Sequence, residues 1–231
     1  MQLLHPLQVA PSAFAAAISF VAGFTDGVGF VAFGFFPAHM TGNFVLVGDA
    51  FARSSSGIEI RLIAIAGFIV AAACTGVLAH ATATASLVRR LTTIQAAILS
   101  LFAFSGAYAI TARSDETFWA LVAAFLAAAA MGTQSALTHL IFPTPISTTA
   151  MTGNLTAAVL DATGALLRPS DRRAWKALFR TTFIVSSFVV GALSGAFNLI
   201  WLGFYAMAIP ILALVLLARC TIATPAGRDP F

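Results

Sequence analysis

The sequence predicts an all-α, polytopic membrane helical bundle: six spans plus two short broken or re-entrant helices, built from two inverted three-span repeats. Three observations predict it. Hydrophobic residues make up 60% of the 231 and charged residues only 9%, against about 25% charged in a typical soluble chain. The charges are also segregated: residues 1–25, 27–48, 62–88, 91–112, 117–160 and 181–218 contain no Asp, Glu, Lys or Arg, and a crossing helix needs about 20 such residues. Finally, Met-Thr-Gly-Asn occurs twice, at 40–43 and at 151–154, each time followed by Asp-Ala after a short apolar stretch.

The spans follow in order from apolar runs and breakers, at roughly 11–35, 58–84, 91–112, 116–139, 174–197 and 199–218. Ser56 with Glu59 reads as a capping box ahead of the second. Ser114 and Ser170, each followed by Asp, read as N-caps of the fourth and fifth. The uncharged run 181–218 would be about 57 Å long as one helix, nearly twice the hydrocarbon thickness, so it must turn back, and Asn198 is the expected place. The whole chain, 1–231, reads as one membrane domain, with repeat one at 12–112 and repeat two at 116–219. Gly23-Phe24-Thr25-Asp26 precedes the first Met-Thr-Gly-Asn, and Gly132-Thr133-Gln134-Ser135 precedes the second at similar spacing. That shared order of elements reads as an internal duplication.

If each Thr-Gly-Asn segment enters and leaves on one side, each repeat crosses three times and the repeats are inverted. If each crosses fully, there are eight spans and the repeats run parallel. In the six-span arrangement Arg89, Arg90, Arg168, Arg172, Arg173, Lys176, Arg180, Arg219 and Arg228 share the side of both termini, against Arg53, Arg61 and Arg113. In the eight-span arrangement only Arg89 and Arg90 lie outside. The positive-inside rule accepts both. Six is preferred because residues 38–52 are too short and polar for a crossing. Both termini are then cytoplasmic. With no signal-peptide pattern at the start, the expected address is a bacterial plasma (inner) membrane.

The two segments carry the chemistry. Pro37, Pro143 and Pro145 remove backbone donors and favour extended geometry before them, and Ser147, Thr148 and Thr149 extend that tendency. Thr41 or Asn43, and Thr152 or Asn154, are natural N-caps for the helices that follow. A helix starting inside the membrane points unpaired N–H groups and partial positive charge at whatever lies ahead of it. Two such starts, at Thr41-Gly42-Asn43 and Thr152-Gly153-Asn154, would form a polar centre for a small anionic or carbonyl-bearing solute. The plainer alternative is a pair of interfacial caps starting surface helices.

Asp26 lies between 25 uncharged residues and 22 more, and a carboxylate at such depth is a functional candidate by default. Its structural alternative is a neutral acid bonded to backbone freed by Gly23, Gly27 and Gly29. Gln134 reads as its uncharged counterpart in the second repeat. His39 adjoins the first segment and titrates near neutrality. Asp49 and Asp161 are secondary candidates, facing either the same cavity or the interface.

Other features read as structure. His80 and His139 sit near span ends, and nothing has the spacing of a metal site or a cofactor motif. Cys74 and Cys220 read as small packing residues. Ser187, Gly191 and Gly195, like Gly67, Ala71 and Thr75, form small-residue faces for close helix packing, within the chain or between copies of it. Trp119, Trp175 and Trp201 fit interfacial anchoring. The net charge of +4 belongs to topology signals rather than a nucleic-acid surface.

Gly23-Phe24-Thr25-Asp26-Gly27-Val28-Gly29-Phe30, Met40-Thr41-Gly42-Asn43, Met131-Gly132-Thr133-Gln134-Ser135-Ala136-Leu137 and Met151-Thr152-Gly153-Asn154 together resemble the YoaK family of bacterial inner-membrane proteins, a domain family of unknown function. The resemblance spans about residues 12–218 and implies a compact multi-pass protein of about this length. The family pattern usually has Asn where Ser135 stands.

Three functions compete. A permease, with or without proton coupling through Asp26, would bind its solute at Asp26, His39, Thr41, Gly42, Asn43, Gln134, Thr152, Gly153 and Asn154. A scaffold or sensor would use the same polar centre for packing. An intramembrane enzyme would need an activated nucleophile beside a base, and no GxSxG or His-containing dyad supplies one, so no enzymatic activity is expected.

Overall fold

A computed structural model of the chain describes residues 8–82, 84–111, 116–142, 148–149 and 151–222. Ser114, Pro143, Pro145 and Ser147 lie outside these residues. Helices account for nearly everything else: α1 (Pro11–Phe33), α2 (Met40–Ala52), α3 (Ile58–His80), α4 (Thr84–Thr111), α5 (Glu116–Ile141), α6 (Met151–Leu167), α7 (Arg172–Leu202) and, after a 3-10 turn at Gly203–Met207, α8 (Ala208–Leu217). Five apolar stretches are long enough to cross a membrane: Pro11–Phe33, Ile58–His80, Ser86–Thr111, Thr117–Ile141 and the combined Arg172–Leu217.

The ends of these helices are set by backbone chemistry that differs in places from the expected caps. Pro11 occupies the first turn of α1, where its missing N–H costs nothing. Gly34 closes α1 in the left-handed region, φ 70°, its N–H donating to Phe30 O. The N-cap of α3 is Gly57, without a side-chain cap, so Ser56 is not the capping residue, although Glu59 does fall in the first turn. On α7 the cap is Asp171 rather than Ser170: its carboxylate accepts from Arg173 N at 2.8 Å.

The long uncharged run turns later than Asn198. That residue's amide donates to Ser194 O at 2.8 Å, four residues back, so the helix passes through it intact. The break comes at Gly203, whose φ 57° and ψ −148° suit glycine almost alone. Phe204 then plugs inward: its ring meets Phe102 edge-on at 5.5 Å and Phe33 at 5.9 Å, in space that a Cβ on Gly106 would occupy. Burial of that aromatic ring fixes the corner between α7 and α8.

Directions follow from paired contacts. Phe14 meets Phe142 at 6.5 Å, and the Gln134 amide donates to Ile18 O at 2.9 Å, so α1 and α5 run antiparallel through the centre. Gln95 bonds Gln134 while Tyr108 meets Trp119 at 4.9 Å, which makes α4 and α5 an antiparallel pair. α1 and α7 run parallel: Gly191 lies on the Phe20 backbone and Gly195 on that of Phe24, while Gly23 and Gly27 reciprocate against Phe188 and Ala192. Gly67 of α3 and Gly132 of α5 make the same kind of backbone approach to Phe125 and Phe68. The two halves of the chain therefore exchange partners, α1 packing on α7 and α5 on α3. Residues 8–9 and 221–222 pair as a two-residue parallel ladder, so the described ends of the chain sit side by side.

Gly67 of α3 and Gly191 and Gly195 of α7 thus face backbone within the chain. Outward faces carry large apolar side chains instead, among them Phe51, Trp201 and Tyr205. Cys74 is exposed rather than packed, Cys220 is half-buried, and both are free thiols.

Replacing Gly195 by Leu drives a side chain into the α1 backbone. It should destabilise the protein by about 3 kcal/mol or more, or prevent folding. Gly164→Ala meets open space and should be neutral to stabilising by up to about 1 kcal/mol. Thermal melting in detergent compares the two, and equal melting temperatures would refute the packing assigned to α1 and α7.

Candidate functional site

The first broken segment is folded back against the helix that precedes it. After Gly34 the chain reverses, and Pro37 lies flat on α1 where Gly29 lacks a Cβ; one built there would come within 2.6 Å of the proline ring. Asp26, in the middle of α1, receives the returning chain: its Oδ1 accepts from Ala38 N at 2.5 Å and its Oδ2 lies 2.6 Å from His39 Nδ1. α2 then starts at Met40. His39 is the N-cap by position but makes no side-chain cap bond. Asp26, fourteen residues before α2 in sequence, supplies the negative charge that the positive end of α2 favours.

Thr41 and Asn43 are inside the first turn, not N-caps. Asn43 is fully buried and turned backwards, its Oδ1 accepting from Phe36 N at 2.8 Å and its Nδ2 donating to Phe36 O at 2.7 Å. One side chain thereby satisfies both polar groups of a non-helical residue, which burial demands. Arg61, from the first turn of α3, holds the other end: Nε donates to Gly34 O at 3.2 Å and Nη1 to Leu46 O at 3.4 Å. Residue 38 is therefore level with Asp26, and residue 46 level with the end of α1. The link goes in and α2 comes out at the same end of the bundle.

Beside this turn lies a pocket of about 410 Å³, lined by Asp26, Gly27, Phe30, Val31, Phe36, His39, Thr41, Gly42, Phe188, Ala192 and Ala196. Phe30 and Phe36 stack at 4.6 Å, and the His39 ring meets Phe188 edge-on at 5.3 Å. Of the expected site residues the fold brings Asp26, His39, Thr41 and Gly42 together here, with Asn43 immediately behind. The aromatic and alanine lining from α7 is invisible in the sequence, where nothing distinguishes these residues from lipid-facing ones.

The described residues of the second segment, Thr148 and Thr149, make a different, uncharged junction. Thr149 lies two residues before Met151, as Ala38 does before Met40, and its hydroxyl reaches the Ser135 hydroxyl at 3.4 Å. Ser135 stands three residues after Gly132, as Asp26 does after Gly23, so the counterpart of Asp26 is Ser135 and not Gln134. Gln134 is instead a buried tie between elements. It accepts from Gln95 Nε2 at 2.7 Å and donates to Ile18 O at 2.9 Å and to the Thr148 hydroxyl at 3.2 Å. Sequence reasoning missed Gln95 as its partner, although a polar amide amid the uncharged run 91–112 is a signal of such a tie. Ser19 Oγ and Gln95 Oε1 are buried without a hydrogen-bond partner among the described residues.

Thr152, Gly153 and Asn154 occupy the first turn of α6 and do not line the pocket. Thr152 and Gly153 are exposed and Asn154 is half-buried, its amide 3.8 Å from Met151 Sδ, as that of Asn43 is 4.0 Å from Met40 Sδ. The first helix start and α7 form the pocket without the second start. Asp49 pairs with Arg53 at 2.6 Å on an exposed face, and Asp161 accepts from the Thr181 hydroxyl at 2.8 Å; neither lines the pocket. His80 is exposed, and His139 Nδ1 lies 2.8 Å from Ser135 O. Among the described residues no three His, Cys, Asp or Glu side chains cluster as metal ligands.

Asn43→Ala should leave the buried amide and carbonyl of Phe36 unpaired, and Gln134→Leu should orphan the Gln95 side-chain amide on α4, each at about 1–3 kcal/mol per group. Melting temperatures of both variants should fall well below that of Thr152→Ala, which changes an exposed side chain. Unchanged melting of Asn43→Ala would refute the clamp.

A family model described as "Protein of unknown function (DUF1275)" matches residues 14–220, in keeping with the YoaK resemblance. No curated protein and no solved structure matches the chain.

Proposed function

The chain belongs to the DUF1275 family, and from its geometry we propose that it is a secondary permease of the bacterial plasma membrane, carrying a small solute through the pocket beside Asp26 and His39. One observation carries this reading: a carboxylate and an imidazole 2.6 Å apart form the polar wall of an otherwise apolar pocket, at the mouth of a helix that begins inside the bundle. An ionisable pair in such surroundings costs several kcal/mol that simple packing does not require, so it marks a pathway for solute or protons. The pair exchanges protons with the pocket, and its protonation state governs how firmly residues 38 and 39 are held to α1.

Six crossings and two inverted three-span repeats fit this function. In support, α1 and α5 are antiparallel, Ala38 and Thr149 each bond back to the helix before them, and Gly203 divides the apolar stretch Arg172–Leu217 into α7 and the shorter α8. Inverted repeats let one set of helices rock against the other about a central site. In that arrangement the described ends of the chain, residues 8–9 and 221–222, lie with Arg89, Arg90, Arg168, Arg172, Arg173, Lys176, Arg180 and Arg219, the cytoplasmic side by the positive-inside rule. Asp26 also supports a second reading, in which it serves packing alone, because both of its oxygens are occupied within the chain.

Purified protein in proteoliposomes containing a pH-sensitive dye separates the two. A panel of small organic solutes should produce solute-dependent proton entry. Asp26→Asn should reduce its rate at least tenfold and flatten its pH profile, and Gly42→Leu, which displaces Phe36, should block it. Flux unchanged in both variants, with only melting affected, would leave the scaffold.

A further inference from the structure

We infer that this pocket takes a hydrophobic monocarboxylic acid, its carboxyl group held by His39 and Thr41 and its apolar body against Phe30, Phe36 and Phe188. The assignment deepens the transport reading by naming the solute class, and it rests on that reading only for the steps after binding. The pairing of polar groups decides the charge. Asp26 has both oxygens engaged, one by Ala38 N and one by His39 Nδ1, so the acid in the wall is already compensated and offers no vacant acceptor to a cation. The polar side-chain atoms of the pocket with no partner among the described residues are His39 Nε2 and the Thr41 hydroxyl. Both suit a carboxyl group, which donates one hydrogen bond and accepts others.

The remaining lining selects the body. Beyond Asp26, His39 and Thr41 every lining side chain is apolar or absent, α7 contributing only Phe188, Ala192 and Ala196. A sugar, amino acid or inorganic anion would leave its polar groups unpaired against those walls, a cost that rejects it. Phe30 and Val31 stand 45% and 48% exposed at the rim, so an amphiphile enters along apolar surface. The volume of about 410 Å³ accommodates a small amphiphile, within the range of ordinary ligand sites.

Binding moves one proton. With Nδ1–H given to Asp26, neutral His39 presents Nε2 as an acceptor. The neutral acid gives it the carboxyl proton: the O–H bond breaks, an N–H bond forms, and a carboxylate is left beside an imidazolium that Asp26 balances. No further reactant is needed. Among the described residues, Asp26 and His39 are the only titratable ones in the lining. The nearby cation of α3, Arg61, is engaged with Gly34 O and Leu46 O.

The test is calorimetric titration of the full chain in nanodiscs, against empty nanodiscs, with hexanoate, hexan-1-ol and hexyltrimethylammonium. Hexanoate should bind saturably and at least tenfold tighter than hexanol, and the cation should not bind. His39→Gln should erase the preference for acid over alcohol. Ala192→Leu, which fills the apolar wall away from the ion pair, should weaken both. Equal affinity for hexanoate and hexanol in the unaltered protein, or tighter binding of the cation, would overturn the assignment even if His39→Gln fails to fold. Hexanoate binding without any proteoliposome flux would uphold the site and remove the permease. Flux of another solute with no hexanoate binding would do the reverse.

Discussion

One carboxylate organises the first half of this molecule. Asp26 sits in the middle of a helix whose neighbours are almost all apolar, where an unpaired charge is too costly to keep. The simplest remedy within the chain is a set of N–H donors, and a helix start has them unpaired. The chain leaves α1 at Gly34, turns back to that carboxylate, and begins α2 there. Each part answers the other's need: the buried acid gains donors, and the buried helix start gains negative charge. Pro37 against Gly29, Asn43 across Phe36 and Arg61 across Gly34 and Leu46 hold the turn in the place this exchange requires.

The pocket is a by-product of that arrangement. A helix that begins in mid-bundle cannot cover the groove ahead of its first turn, so α1 and α7 are left partly uncovered there. Glycines on both helices bring the two backbones into contact, and the floor of the groove between them is apolar. The pair Asp26–His39 supplies its polar edge. The second half repeats the topology with neutral groups, Ser135 meeting Thr149 and Gln134 tying α1, α4 and residue 148 together. Hydroxyls and amides do not change charge with pH, whereas a carboxylate and an imidazole do.

The two halves of the chain pack closely on each other. The first helix of each lies on the third helix of the other, with backbones touching at Gly23, Gly191 and Gly195 on one side and at Gly67 and Gly132 on the other. Lipid offers apolar side chains no gain on association, so close backbone approach supplies the attraction instead. Any rocking motion has to act across these seams.

Composition and charge spacing alone determined the all-α class and the long apolar helices, because apolar length is a property of a string. They also singled out Asp26, His39 and the two Thr-Gly-Asn segments, since polar residues in uncharged runs stand out wherever they point. They misplaced Thr41 and Asn43 as caps, matched Gln134 to Asp26 and put the turn at Asn198, each time because the deciding partner was distant in sequence or because a local side chain bonded its own helix. Only the tertiary structure decided that Asp26 receives Ala38 and His39, that Ser135 is its counterpart, and that Phe188, Ala192 and Ala196 wall the pocket. A hydrogen bond is satisfied by whichever group folding brings within about 3 Å, and a sequence carries no distance between residues 26 and 188.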